Sequence, residues 1–229
     1  MADAKHQAQD VVERSSARPR HVPALRFPFL TRFYDRIMGS LFDEQALQGR
    51  LVEQARVTHF HTVLDLGCGT GAVALRVANG DCHRVFGLDA DFEAILVGAR
   101  KAKVERCPIS WCIGSAAALP FRDSAFDRVL SSLLLHHLSP AQKRAALAGV
   151  QRVLREGGEL HVMDWGKATG PLMRLAFLPV QMLDGFVNTA ENVRGLVSEM
   201  IEESALKLAD PPEPFRTALG VIEFHRAFK

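Results

Sequence analysis

Between His61 and Trp165 the hydrophobic positions change period repeatedly. Short β-branched and apolar runs occupy His61–Leu66, Arg84–Leu88, Ile109–Ile113, Arg128–Leu133 and Glu159–Trp165. Between them apolar residues recur at three- and four-residue steps, the period of a helix with one buried face. Helices are expected over Gly71–Ala78 and Phe92–Lys103, the second capped by Asp91. Ser139-Pro140-Ala141-Gln142 combines a capping box with proline in the first turn. The helix it opens buries Leu147, Val150, Val153 and Leu154 and is expected to stop at Gly157-Gly158. Strands that alternate with helices through short connections predict an open, mostly parallel sheet with helices on both faces, a doubly wound α/β fold.

The flanks are less regular. Leu30–Arg56 has a helical pattern carried by Phe33, Ile37, Leu41, Leu47 and Leu51, and residues 1–24 form a polar, flexible tail. Leu172–Phe186 is apolar but interrupted by Pro179, which predicts two short helices. Asn192–Glu203 follows as a further helix. Gly220–Phe228 is the expected last strand, with Leu206–Leu208 as its partner.

Composition narrows the classes of function. Of 229 residues 48% are hydrophobic, enough for a large core, and the net charge is +2. A nucleic-acid binder normally carries a clear basic excess, so that partner is disfavoured. Six arginines against one acid between Arg14 and Arg36 allow peripheral contact with an anionic surface, although a solvated basic face is the favoured reading. No apolar run is long enough for an integral membrane segment, and the polar start lacks a secretory signal, so a cytoplasmic location is expected. The 4 cysteines form no C-x-x-C pair and the 9 histidines lack the usual ligand spacings, so no metal site is expected.

The chemistry concentrates in Val63-Leu64-Asp65-Leu66-Gly67-Cys68-Gly69-Thr70-Gly71, at the end of the first predicted strand and directly before a helix. Glycines there let the backbone turn sharply and approach a ligand closely. The helix start offers N–H groups to a negative group. The next strand ends at Asp89, where a carboxylate can accept both hydroxyls of a ribose. Together these features predict a nucleoside-containing ligand across the carboxyl ends of the first two strands.

The spacing is G-x-G-x-G, whereas nicotinamide sites carry G-x-G-x-x-G. It resembles motif I of the class I S-adenosylmethionine-dependent methyltransferases. The resemblance continues through Val85–Asp91, Gly114-Ser115-Ala116 to Leu119-Pro120-Phe121, Phe126–Val129, and Val153-Leu154-Arg155-Glu156-Gly157-Gly158. Phe33-Tyr34-Asp35 and Leu119-Pro120-Phe121 are similar to segments of the ubiquinone/menaquinone C-methylase-like subgroup of small-molecule enzymes. The resemblance implies a Rossmann-like, doubly wound sheet with an antiparallel last strand and a helical lid. It implies one domain over 25–229, with a helical cap at 25–58 and a lid insertion at 166–204. S-adenosylmethionine is the implied cofactor, placed by Asp65, Gly67, Gly69, Thr70 and Gly71 at its methionine end and by Asp89 at its ribose. Ser115 and Ala116 take the adenine-loop positions, and Ser132 matches a cofactor-contacting serine.

The acceptor is less legible. Methyl transfer from a sulfonium is an in-line displacement that mainly needs alignment, and a base only where the acceptor must lose a proton. Ser131 to His137 lacks the N/D-P-P-Y/F signature of amino-methylating nucleic-acid enzymes. Quinone methylases have Arg-Asn where this chain has His136-His137. His136, and less strongly His137, is a candidate base or acceptor contact toward a phenol or enol. The favoured acceptor is a small apolar or aromatic, phenol- or quinol-like molecule. A nicotinamide oxidoreductase and a non-catalytic cofactor-binding module are the alternatives.

Overall fold

In the computed structural model, residues 43–80 and 82–229 are described. The tail at 1–24, the Phe33-Tyr34-Asp35 segment, the arginine cluster and the first part of the Leu30–Arg56 helix lie outside the described residues. The elements in chain order are α1 (Glu44–Ala55), β1 (Thr62–Leu66), α2 (Ala72–Asn79), β2 (Arg84–Asp89), α3 (Phe92–Glu105), β3 (Ile109–Ile113) and β4 (Phe126–Ser132). A 3-10 turn, Leu135–His137, leads to α4 (Pro140–Val153) and the long strand β5 (Leu154–Trp165). Four short helices follow: α5 (Pro171–Ala176), α6 (Leu178–Asp184), α7 (Phe186–Arg194) and α8 (Val197–Glu203). Strands β6 (Lys207–Leu208), β7 (Glu213–Arg216) and β8 (Val221–Phe228) end the chain.

The sheet runs β3-β2-β1-β4-β5-β8-β6, with β7 also paired to β8. Strands β1 to β5 are parallel and β8 is antiparallel to β5. Strand order reverses between β1 and β4, which makes their carboxyl ends the topological switch point where doubly wound sheets hold ligands. Alternation along the strands builds two cores. Leu64, Val129, Leu160 and Val162 pack on one face with Leu147 and Val150 of α4 and Ile201 of α8. Val63, Leu130, Met163 and Trp165 pack on the other with Leu51 of α1 and Val73 and Val77 of α2.

The expected caps form. Asp91 accepts from the amides of Glu93 and Ala94, and the reciprocal Ser139–Gln142 box opens α4 behind Pro140. Other boundaries move. Helix α4 stops at Val153, before the glycines, because Leu154 turns extended and pairs with Phe126 at the sheet irregularity. Gly157 and Gly158 therefore lie inside β5. The helix expected over Asn192–Glu203 is two helices, split at the left-handed Gly195. Pro179 sits in the first turn of α6, where its missing N–H costs nothing, so the break falls just before it. Strand β7 is additional: Pro214 among exposed residues hides its period, as edge strands often do.

Candidate active site

The glycine loop is strapped to β2 before any ligand arrives. The amides of Gly67 and Cys68 both donate to the Leu88 carbonyl, at 2.8 and 3.0 Å. Gly69 N–H donates to Asp89 Oδ2 at 2.7 Å, and Asp91 N–H donates to Asp89 Oδ1 at 2.8 Å. Asp89 is thus fixed at the mouth of the loop, partly exposed, with a second lone pair on each oxygen still available to hydroxyl donors. Asp65 stays beneath the loop, 2% exposed. Its Oδ2 accepts from Ala74 N–H at 2.9 Å, so it satisfies one of the orphan donors of α2 itself. Burial pushes its carboxyl up to about 7; the Ala74 N–H resists this and the nearby Asp89 charge adds to it.

Three glycines share a purpose the sequence did not reveal. A Cβ at Gly71, Gly87 or Gly98 would stand 2.4, 2.9 or 2.8 Å from the Trp111 indole. The indole wedges between β2, α3 and the loop, and the absent side chains make its slot. Gly71 also has φ +80°, a left-handed conformation that leads the chain into α2. At Gly69, by contrast, nothing lies within 4 Å of a Cβ position although φ is +50°. That open flank beside the Asp89 carboxylate is what a nucleoside cofactor would fill, and the residues present fit one. Thr70 is exposed next to it, and Lys101 donates to Thr70 Oγ1 at 3.1 Å.

At the adenine-loop positions, Ser115 Oγ accepts from Ala117 N–H at 3.2 Å, which folds the loop on itself. Ala116 is buried in the core with Phe86 and Phe121. The amide of Gly114 donates to the Asp89 carbonyl at 2.9 Å, so this loop and Asp89 share an edge. Ser132 ends β4, one residue beyond the Ser131 that pairs with Leu66, and is half-buried beside the glycine loop. The Phe126–Val129 motif lies at the far edge, where Asp127 accepts from Thr62 N–H at 2.7 Å and pairs with Arg155 at 2.6 Å. It anchors the sheet rather than touching the site.

After Ser132 the chain turns through Leu133 in the left-handed region, φ 53°, an unfavourable conformation for a branched side chain. The amide of Leu133 donates to the Met163 carbonyl and that of Leu135 to Asp164 Oδ2, both at 2.7 Å. These bonds hold the 3-10 turn that carries both histidines. Asp164 is fully buried and also accepts, at Oδ1, from Trp165 N–H at 2.7 Å, His136 Nδ1 at 2.8 Å and Asn192 Nδ2 at 3.1 Å. Burial opposes its charge, yet His136 and these donors hold its carboxyl below the usual range. Burial and the neighbouring His137 push the His136 imidazole the other way, toward its neutral form, against Asp164 and Asp184.

His136 is 4% exposed, so it is a clamped ring rather than an open base. The His137 side chain is 41% exposed, with Nδ1 3.2 Å from Asp184 Oδ1. His136 Nε2 stands 3.7 Å from Asp184 Oδ2. Helix α7 packs on this turn: Asn188 Nδ2 donates to the His137 carbonyl at 3.1 Å. The buried Lys143 of α4 reaches Glu191 at 3.1 Å and Asn192 Oδ1 at 2.8 Å. Lys143, Asn192, Asp164, His136 and Asp184 are one polar network joining α4, α6 and α7 to the sheet. Asp164 and Trp165, at the carboxyl end of β5, are both buried. Asp184 and Lys143 were missed, since nothing local marks a lysine or aspartate that will be buried through partners forty residues away.

A family model described as a methyltransferase domain matches residues 63–158. A 2-phytyl-1,4-naphtoquinone methyltransferase of Synechocystis is 36% identical over 107 residues, 45% of this chain and 44% of that protein. A ubiquinone/menaquinone biosynthesis C-methyltransferase of Paracoccus denitrificans is 31% identical over 173 residues, 72% of this chain and 66% of that protein. The matches span about half the length of several curated relatives. A SAM-dependent methyltransferase structure from Methanosarcina mazei superposes with a TM-score of 0.62 at 20% identity, covering 78% of this chain and 96% of that one, and speaks for the fold. Glycine loop, switch point and relatives converge: the chain belongs to the class I S-adenosylmethionine-dependent methyltransferases, whose cofactor is S-adenosylmethionine.

Proposed function

We propose that this chain transfers a methyl group to a small apolar or aromatic acceptor of the phenol or quinol class. The observation that carries the donor half is the preformed Asp89–Gly69 contact beside an open loop flank. Asp89 takes the ribose hydroxyls, Gly67, Gly69 and Thr70 wrap the methionine end, and Asp65 orders the loop from below. Ser115, Ala116 and Ser132 border the adenine and methyl ends. Bound, the cofactor supplies a methyl group on a positively charged sulfur, which leaves as a neutral thioether. The protein's part is to align the acceptor and keep water out.

The acceptor class is supported by the likeness to naphthoquinone and ubiquinone/menaquinone methyltransferases. It is supported also by exposed apolar side chains: Leu172 and Leu175 on α5, and Met182, Phe186 and Val187 on α6 and α7, the helices that hold Asp184 and Asn188. His137, the more exposed of the two histidines, faces an acceptor hydroxyl, while His136 positions the turn. Net charge of +2 gives little help to a nucleic-acid acceptor.

Calorimetric titration with S-adenosylmethionine, S-adenosylhomocysteine and NADH tests the donor, followed by turnover on phenols, hydroquinones and naphthoquinols with a tRNA pool as comparison. Micromolar binding of the first two and methylation of a quinol are expected. Binding of NADH alone transfers the chain to the oxidoreductases. Cofactor binding without turnover on any acceptor supports a binding module, and turnover on tRNA alone overturns the acceptor class.

A further inference from the structure

We infer that His136, His137 and Asp184 form a binding site for a divalent transition-metal ion of the zinc class. One ligand atom from each residue lies within 4.8 Å of the others. His136 Nε2 to Asp184 Oδ2 is 3.7 Å and His137 Nδ1 to Asp184 Oδ1 is 3.2 Å. Ligands held at about 2.0–2.2 Å from a zinc-like ion stand roughly 3.0–3.5 Å apart, so only small side-chain shifts are needed. Two imidazoles and one carboxylate suit zinc, iron or cobalt and leave coordination positions open.

The surroundings complete the site. Asp164 is an acceptor only, so the 2.8 Å contact places a proton on His136 Nδ1. The other ring nitrogen, Nε2, faces the Asp184 carboxylate at 3.7 Å with both side chains almost wholly buried, so the two groups converge on one point from the turn and from α6. A carboxylate behind a ligating imidazole is the arrangement that fixes the tautomer and raises ligand basicity in metal sites. Rigidity comes from the Asp164 hydrogen bonds on the histidine turn and from the Asn188 bond to the His137 carbonyl. The ligands come from a 3-10 turn and the end of α6, so no sequence spacing announces them.

The exposed side of His137 leaves the open positions toward solvent, where an oxygen of the acceptor can enter. That last step rests on the methyl-transfer reading; ion binding itself does not. The test uses the full chain without a polyhistidine tag, stripped with chelator and dialysed. Zinc binding is followed by calorimetry and cobalt binding by its visible d–d bands, without S-adenosylmethionine. One ion per chain is expected, lost in Asp184→Asn and in His137→Gln and unchanged in the exposed-site control His59→Gln. Asp164→Asn should weaken it about 10–100-fold. Circular dichroism checks that each variant is folded. The absence of stoichiometric binding, or binding unaltered in folded Asp184→Asn and His137→Gln, overturns the site. S-adenosylhomocysteine titration of the same preparations reports separately on the donor site.

Discussion

Asp164 offers the sharpest test of how the histidine turn is built. Four donors converge on it: three at Oδ1 (Trp165 N–H, His136 Nδ1 and Asn192 Nδ2) and Leu135 N–H at Oδ2. Asp164→Asn preserves shape and opens no cavity, but it replaces one oxygen by a donor. The amide keeps the most bonds with its oxygen at the Oδ1 position, leaving its NH2 against the Leu135 amide. The Leu135 N–H then loses its acceptor and faces the donors of the new NH2, at about 1–3 kcal/mol, and three charge-assisted bonds become neutral, at roughly 1 kcal/mol each. Relief from desolvating a carboxylate offsets part of this, for a net loss of about 3 kcal/mol, near the range for breaking a buried ionic network. For a chain this long the melting temperature should fall by about 6–12 °C. Guanidinium denaturation of wild type, Asp164→Asn and Asp184→Asn measures it, with Asp184→Asn expected to lose less because its contacts to the histidines, at 3.2 and 3.7 Å, are longer than those of Asp164. An Asp164→Asn loss below 1 kcal/mol, or equal to that of Asp184→Asn, would refute the argument that this carboxylate organises the turn.

Asp89→Ala should cost about 1.5–3 kcal/mol of S-adenosylhomocysteine affinity, roughly 10–150-fold, and unchanged calorimetric affinity in the folded variant would remove the ribose assignment. Gly98→Ala ought to stabilise α3 by about 1 kcal/mol on helix propensity, but its Cβ would meet Trp111 at 2.8 Å, so net destabilisation is expected. The same change in a Trp111→Leu background should cost less, the Thr70 carbonyl at 3.2 Å being the tight neighbour that remains; an equal loss in both backgrounds would deny the wedge. The buried His161 and His225, held down to about 4 chiefly by burial, lie below their unfolded value. The unfolded chain therefore binds more protons between about pH 6.5 and 4, and stability falls as pH drops through that window, on the order of 3 kcal/mol for each. Asp65, raised to about 7, works oppositely: its folded form holds a proton that the unfolded one releases, so stability falls as pH climbs from about 4 to 7. Acid unfolding should be steeper in Asp65→Asn than in wild type, and superimposable pH profiles would contradict this.

The parts that the sequence makes legible are those governed by local chemistry. The Asp91 and Ser139 caps depend on residues within three positions of one another, and the glycine turn and Asp89 are legible because each is marked by its own residue type at a strand end, although they meet across twenty residues. The Gly157-Gly158 stop fails because pairing of Leu154 with Phe126 overrides a local glycine signal. The split at Gly195 is missed because the helical period of Asn192–Glu203 runs through it. The histidine site is the harder case. His136 and His137 stand out as a pair, but their partners Asp164 and Asp184 come from β5 and α6, and the Lys143 that braces Asn192 beside them comes from α4. The long-range pairings that bury those charges leave no periodic trace.

The two tryptophans have an optical consequence. Trp111 lies against the donor loop, and Trp165 has its ring centroid 6.5 Å from that of His136. Replacing either by phenylalanine leaves a chain whose ultraviolet emission comes from one half of the site alone. Donor occupancy and events at the histidine turn are thereby read one at a time, each from its own single-tryptophan variant, by indole emission in stopped flow with no added dye.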